Sequence, residues 1–174
     1  MLRLLLLRHA KSSCEEQDRG DRDRQLSDRG KEAATMIGAY MRKMRLIPDL
    51  VLCSPATRAV DTWELVLDQV RSAPEVLSDE AVYDFGDGSR LLDSLRSKGG
   101  KAKTVLIVGH NPSIERLAQS LIGSGSDKLR AKLVKKYPTG ALTVIDFTAS
   151  DWKSLKGSDG RLLSFTRPKD LSPN

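Results

Sequence analysis

The feature that most narrows the possible folds is the run Leu2-Arg3-Leu4-Leu5-Leu6-Leu7, which breaks at once into Arg8-His9-Ala10-Lys11. A short, almost unbroken aliphatic run reads as a strand buried on both faces, the kind found at the centre of a parallel sheet. It is too short for a membrane span or for the apolar region of a signal peptide, and it runs straight into charge. Arg8 and His9 then fall at the carboxyl end of the strand. That is the edge of an open α/β sheet where ligands bind.

The pattern recurs twice. Asp49-Leu50-Val51-Leu52-Cys53 runs into Ser54-Pro55-Ala56-Thr57-Arg58, and Thr104-Val105-Leu106-Ile107-Val108 runs into Gly109-His110-Asn111-Pro112. If the three strands are parallel, their carboxyl ends share one edge. The chain has only 2 histidines in 174 residues, and both follow such a run, in company with arginines suited to gripping phosphate oxygens. Arg58 is expected in the first turn of a helix, where a cation opposes the helix dipole. Its placement there points to a bound anion on which guanidinium and backbone N–H groups converge.

Between these anchors the chain alternates. Polar residues 12–24 lack apolar periodicity and are expected to form a surface loop. A helix opens at Ser27 or Asp28 and carries Ala33, Ala34, Ile37, Tyr40, Met41 and Met44 at helical spacing, ending before Pro48. Residues 56–70 form a second amphipathic helix. A short strand at Val76-Leu77, an acidic glycine-containing loop over 80–88 and a helix over 89–96 follow. Asn111 as cap and Pro112 at the first helical position start a helix over 113–121. Gly123-Ser124-Gly125-Ser126 is expected to be a flexible break, and the basic stretch 128–136 a helix or turn with a solvated face. Strands over 140–147 and 161–165 are close enough to pair as a hairpin. The expected fold is therefore a three-layer α/β sandwich with a mostly parallel central sheet flanked by helices, one domain spanning 1–174.

Charge and cysteine content remove several function classes. The net charge of +6 arises from 29 basic residues mixed with 23 acidic ones, and aromatic stacking stripes are absent, so acidic substrates fit better than nucleic acid. Cys14 and Cys53 make no disulfide framework, and the separated histidines lack metal-ligand spacing, so neither a metal nor another cofactor is expected. The chain is read as cytoplasmic, with no membrane partner.

Two arginines and two histidines at one sheet edge suit a phosphoryl group. A neutral imidazole can attack phosphorus and hold the group covalently. Arginines and a protonated second histidine would offset charge on its equatorial oxygens. Rival motifs do not fit: neither glycine-rich nucleotide loop is present, there is no G-x-S-x-G elbow, and the pairs Cys53/Arg58 and Cys14/Arg19 miss the Cys-x5-Arg spacing by one residue.

Arg8-His9-Ala10-Lys11-Ser12, Ser54-Pro55-Ala56-Thr57-Arg58-Ala59 and Gly109-His110-Asn111-Pro112, in that order after strands, resemble the histidine phosphatase (phosphoglycerate mutase-like) superfamily. Leu26-Ser27-Asp28-Arg29-Gly30 and Pro138-Thr139-Gly140-Ala141 resemble its SixA-type phosphohistidine phosphatases. The resemblance runs from the first strand to about Phe147. It implies His9 as nucleophile, Arg8 and Arg58 as phosphate clamps and His110 as the second pocket histidine. Ser12 and Asn111, within these motifs, are candidate substrate contacts.

The chain departs from the superfamily pattern at Ala10, where a glycine is usual. The proton donor is open: Asp84 is the first candidate, Glu80 and Asp87 are alternatives, and so is the absence of any acid. A chain this short has no room for a large lid, so the site is expected to be open. An open site admits phosphohistidine on a phosphotransfer protein as well as a small phosphate ester. A binding module that recognises phosphorylated partners without turnover would use the same residues.

Overall fold

The leucine run forms the strand β1 (Leu2–Arg8), and alternation along it divides the molecule into layers. Leu4 and Leu6 face one side of the sheet and Leu5 and Leu7 the other, all fully buried. The computed structural model describes residues 1–14 and 20–173. After β1 come α1 (Asp28–Lys43), β2 (Leu50–Cys53), α2 (Thr57–Val70), β3 (Glu75–Ser78), α3 (Ser89–Lys98) and β4 (Thr104–Gly109). Then follow α4 (Ser113–Leu121), β5 (Ile122–Gly125), α5 (Asp127–Lys135), β6 (Leu142–Phe147), β7 (Gly160–Thr166) and the short α6 (Pro168–Leu171).

Among the described residues the strands form one sheet in the order β3-β2-β4-β1-β6-β7-β5. β1, β2, β3 and β4 are mutually parallel. β6 runs antiparallel to both β1 and β7, so it alone is reversed. Ile37 and Met41 of α1, with Ala59, Trp63 and Val66 of α2, pack on the Leu5/Leu7 face. Leu91 and Leu95 of α3, Ile114 and Leu117 of α4 and Leu133 of α5 pack on the Leu4/Leu6 face. The outcome is an α/β fold with a mostly parallel central sheet between helical layers, and β1 sits in the middle of it.

Local structure departs from expectation at a few points. Gly123-Ser124-Gly125 belongs to β5 and pairs parallel with β7 rather than breaking the chain. A Cβ on Gly123 would lie 1.8 Å from the Ser158 carbonyl oxygen, so the glycine permits a close backbone approach that composition alone reads as looseness. The helix α4 spans the expected residues but its cap differs: Pro112, not Asn111, occupies the cap position, and Asn111 reaches past it to accept from the Glu115 N–H at 3.3 Å. Part of the expected loop over 12–24, and with it Arg19 of the Cys14/Arg19 pair, lies outside the described residues. On either side of that part, Ser12 bridges to Leu26 and residues Asp21–Asp23 form a single 3-10 turn. No helix among the described residues is long and apolar enough to cross a membrane.

The start of α1 is locked to the tail of β1. The Ser27 hydroxyl accepts from Gly30 N–H at 3.1 Å and donates to the Lys11 carbonyl at 3.1 Å. Gly30 presses so closely on this tail that a Cβ would lie 2.0 Å from the Lys11 oxygen. Gly30→Ala should therefore lower stability by about 1–3 kcal/mol, the usual cost of overpacking. Denaturant unfolding of the two proteins measures it, and an unchanged midpoint would show that the Lys11 segment yields freely.

Candidate active site

The parallel strands deliver their carboxyl ends to one edge. His9 N–H donates to the Gly109 carbonyl at 3.0 Å, and Gly140 N–H donates to the carbonyls of Arg8 and His9, both at 3.0 Å. The Thr62 hydroxyl on α2 accepts from Ala10 N–H at 2.9 Å and donates to the Arg58 carbonyl at 2.7 Å. Thr62 thereby sets the register between the β1 tail and the first turn of α2, the two segments that carry His9 and Arg58.

Arg58 joins the histidines. Its side chain is 1% exposed, and its Nε donates to His9 Nε2 at 3.3 Å while one terminal nitrogen donates to His110 Nδ1 at 3.3 Å. A guanidinium only donates and a carbonyl only accepts, so these partners fix both tautomers. His9 holds its proton on Nδ1, which donates to the Ala10 carbonyl at 2.7 Å, and keeps a lone pair on Nε2. His110 is the reverse: Nδ1 carries the lone pair, and Nε2–H donates to the Ser54 hydroxyl oxygen at 2.7 Å. The rings lie 5.2 Å apart, centroid to centroid.

Both imidazoles are neutral at pH 7. Burial lowers His9 to about 4; the Ala10 carbonyl opposes the shift, and Arg58, Arg8 and Arg24 add to it. Burial, the proximity of His9 and the charge on Arg58 lower His110 to about 3. The second histidine, expected to carry a charge, is thus neutral here, because burial beside guanidinium disfavours another cation. Burial raises the Cys53 thiol to about 12, which leaves it inert as a nucleophile.

More side chains enclose the pocket than the motifs named. Arg8 donates to the Tyr137 carbonyl at 2.9 Å, but its Nε is buried with no hydrogen-bond acceptor among the described residues, and Arg24 Nε is in the same condition. Buried donors left without acceptors suit an incoming anion. Asp21 is the carboxylate that meets this cluster. Its Oδ2 accepts from Arg58 at 3.1 Å and from the Tyr83 hydroxyl, its Oδ1 accepts from Arg24 at 3.0 Å, and its backbone carbonyl accepts from Arg58. Burial works to raise its carboxyl, but the Tyr83 hydroxyl and Arg58 outweigh burial and hold it below the ordinary value. Asp21, Arg24 and Thr62 escape a reading by motif. Asp21 and Arg24 sit in a polar loop without periodicity, and Thr62 is one of many residues on an amphipathic helix.

The other candidates lie differently. The Asp84 carboxylate accepts from Gly86 N–H at 3.1 Å and from Arg90 at 3.4 Å, and the Asp84 carbonyl accepts from the Ser113 hydroxyl at 2.6 Å. Glu80 pairs with Arg22, and Asp87 accepts from Ser89 N–H at 2.9 Å, at the start of α3. Asn111 spends its amide on Glu115 at 3.3 Å and on the Tyr137 carbonyl at 3.1 Å, so it braces the acceptor that also holds Arg8. Ser12 takes part through its backbone, bridged to Leu26.

A sequence profile for branch 1 of the histidine phosphatase superfamily matches residues 4–89, which carry His9 and Arg58. The structure of a protein from Agrobacterium tumefaciens assigned as the phosphohistidine phosphatase SixA superposes with a TM-score of 0.79 at 29% identity, over 96% of this chain and 98% of that one. The chain belongs to the histidine phosphatase superfamily. Within it, a SixA-assigned structure from Nakamurella multipartitia gives a TM-score of 0.82 at 26% identity, over 96% of each chain. An uncharacterised protein of Mycobacterium leprae is 31% identical over 170 residues, which is 94% of this chain and all of the relative. Membership of that superfamily makes the protein a phosphatase.

The tautomers and lowered pKa values are open to direct measurement. Nitrogen-15 titration of the two imidazoles should find both neutral at pH 6, His9 protonated on Nδ1 and His110 on Nε2. Folded protein then binds fewer protons than unfolded protein below the ordinary histidine value of 6.5, so stability should fall as pH drops from there through about 4 and about 3. A midpoint near 6.5 for either ring would contradict the arrangement.

Proposed function

We propose that this protein hydrolyses phosphohistidine displayed on another protein, and related phosphate esters, through a covalent phosphoryl group on His9. The observation that carries the reading is the state of His9: a neutral ring, held at Nδ1 by a carbonyl, with its Nε2 lone pair directed at Arg58. Arg8 and Arg58 clamp the phosphoryl oxygens and offset their charge, the work that a metal ion does in other phosphoryl-transfer sites. Substrate binding redirects the Arg58 N–H groups from the two rings to the phosphate.

In the first step His9 Nε2 bonds to phosphorus as the bond from phosphorus to the leaving atom breaks, and the leaving atom takes the electron pair. In the second, water attacks phosphorus, the P–Nε2 bond breaks and the pair returns to His9. His110, neutral in the free site, takes a proton from solvent as the phosphoryl dianion enters, because that dianion reverses the local charge. It then donates to a phosphoryl oxygen. Two unpaired thiols, Cys14 and Cys53, accord with a cytoplasmic setting.

The acid requirement supports phosphohistidine as substrate. Asp21 is held ionised by Arg58 and Tyr83, which makes it a poor donor. Asp84 remains the proposed acid for esters, whose alkoxide leaving groups need a proton in the transition state. A phosphohistidine ring protonated at its second nitrogen leaves as neutral imidazole and needs little help.

Brief exposure to a labile phosphoryl donor, followed by mapping, should place an acid-labile, alkali-stable label on His9 alone. His9→Ala should abolish turnover and label together. A label on serine or cysteine, or turnover that survives His9→Ala, would overturn the mechanism. Asp84→Asn should lower kcat/KM on an alkyl phosphate by roughly 10²-fold or more, the range for a positioned acid, with a much smaller loss on phosphohistidine. Equal losses measured on one preparation would remove Asp84 from that role.

A further inference from the structure

Phe85 is a large apolar side chain left 47% exposed, and it stands against the pocket. Its ring lies 5.0 Å from that of His110, tilted by 40°. The Tyr83 ring meets Phe85 edge-on at 5.2 Å and His110 edge-on at 5.3 Å. Together with the His9–His110 pair, these contacts make a continuous series of rings from the nucleophile out to solvent.

The series is held in place from behind. Tyr83 is tied through its hydroxyl to Asp21, and the Arg22 guanidinium lies 5.1 Å from the centre of its ring. The backbone on both sides of Phe85 is anchored: the Asp84 carbonyl accepts from the Ser113 hydroxyl, Gly86 N–H donates to the Asp84 carboxylate, and the Gly86 carbonyl accepts from Arg116 at 3.4 Å. An anchored loop thus presents a half-open aromatic ring, and an apolar surface so exposed gains by being covered. The Phe85 ring has no acceptor or donor for a phosphate oxygen, so what it covers is the other part of the substrate.

We infer that Phe85, with Tyr83 behind it, forms the leaving-group subsite and takes a flat ring bonded directly to phosphorus, the imidazole of a phosphohistidine side chain. The inference rests on the phospho-His9 reading and adds to it the substrate feature that is recognised. In-line displacement sends the leaving group away from His9 Nε2, and in this arrangement it is taken by Phe85, the exposed ring that packs on His110. As the His9–phosphorus bond forms and the phosphorus–nitrogen bond of the substrate breaks, the electron pair goes to the leaving ring nitrogen. The ring, protonated at its other nitrogen, departs neutral. Before departure that ring is a cation, and it faces the negative π-surface of Phe85. A serine phosphate offers this surface only a short flexible chain.

The test compares wild type, Phe85→Leu and Phe85→Trp on three peptides of one sequence bearing phosphohistidine, phosphotyrosine or phosphoserine. Phe85→Leu keeps apolar bulk and removes the ring. It should reduce the phosphohistidine-to-phosphoserine ratio of kcat/KM about three- to tenfold, the worth of one aromatic contact, chiefly through KM. Phe85→Trp should restore the ratio. An unchanged ratio, or one that Trp does not restore, overturns the subsite, as does a fall confined to phosphotyrosine. If the subsite fails while the label still maps to His9, the phosphatase mechanism stands without it. If His9→Ala keeps wild-type turnover, the mechanism fails and the subsite fails with it.

Discussion

A buried arginine governs the catalytic edge. Arg58 carries a full charge at 1% exposure, and a cation in that position is tolerated only when its donors are met. Its partners come from three separate segments: His9 after β1, His110 after β4, and Asp21 in the loop before α1. The guanidinium therefore gathers the site and sets its chemistry at once. Because it only donates, it imposes a lone pair on each ring nitrogen it meets, and its charge adds to the burial that keeps both rings neutral. The tautomers follow from Arg58 together with the Ala10 carbonyl and the Ser54 hydroxyl.

That role depends on a plain packing fact, the burial of β1 on both faces. Leu4, Leu5, Leu6 and Leu7 leave the strand no freedom to turn, since rotation would disrupt close packing in the core layers on both faces. His9 inherits that rigidity, with its carbonyl held by Gly140 and the next amide held by Thr62. The aromatic wall at the mouth is built by different means, from side chains on a loop pinned through its backbone. On the proposed reading, phosphate handling sits on the sheet and recognition of what the phosphate is attached to sits on a connection, where change disturbs packing least.

Much of this was legible in the chain itself. Aliphatic runs ending in Arg8-His9, Arg58 and His110 announced parallel strands with a shared edge, because a two-faced burial pattern and a polar terminus leave little other interpretation. The start of α1 was narrowed to Ser27 or Asp28, and Ser27 is the cap. What escaped depends on partners distant in sequence. Asp21 and Arg24 have no pattern of their own and matter only because Arg58 lies across from them. The state of His110 depends on burial that no local motif encodes. Asn111 reads as a pocket amide, yet its contacts make it a brace for the carbonyl that holds Arg8. Gly123 shows the same limit for backbone: glycine signals freedom in a sequence, and here it signals contact.

The reversed strand has an architectural consequence of another kind. Because β6 runs against β1, Leu142 lies beside Leu7 at the catalytic edge, and Phe147 lies beside Leu2 at the far edge. The connection from β6 to β7 therefore emerges about 20 Å from the chemistry, one strand length away. Residues 137–141, on the other hand, are committed, because they close the rim around Arg8 and His9. The sheet thus has a working pole and a spare pole. Inserted sequence, a fused domain or a tether for surface attachment belongs at the spare pole, where the chain can lengthen without entering the catalytic neighbourhood.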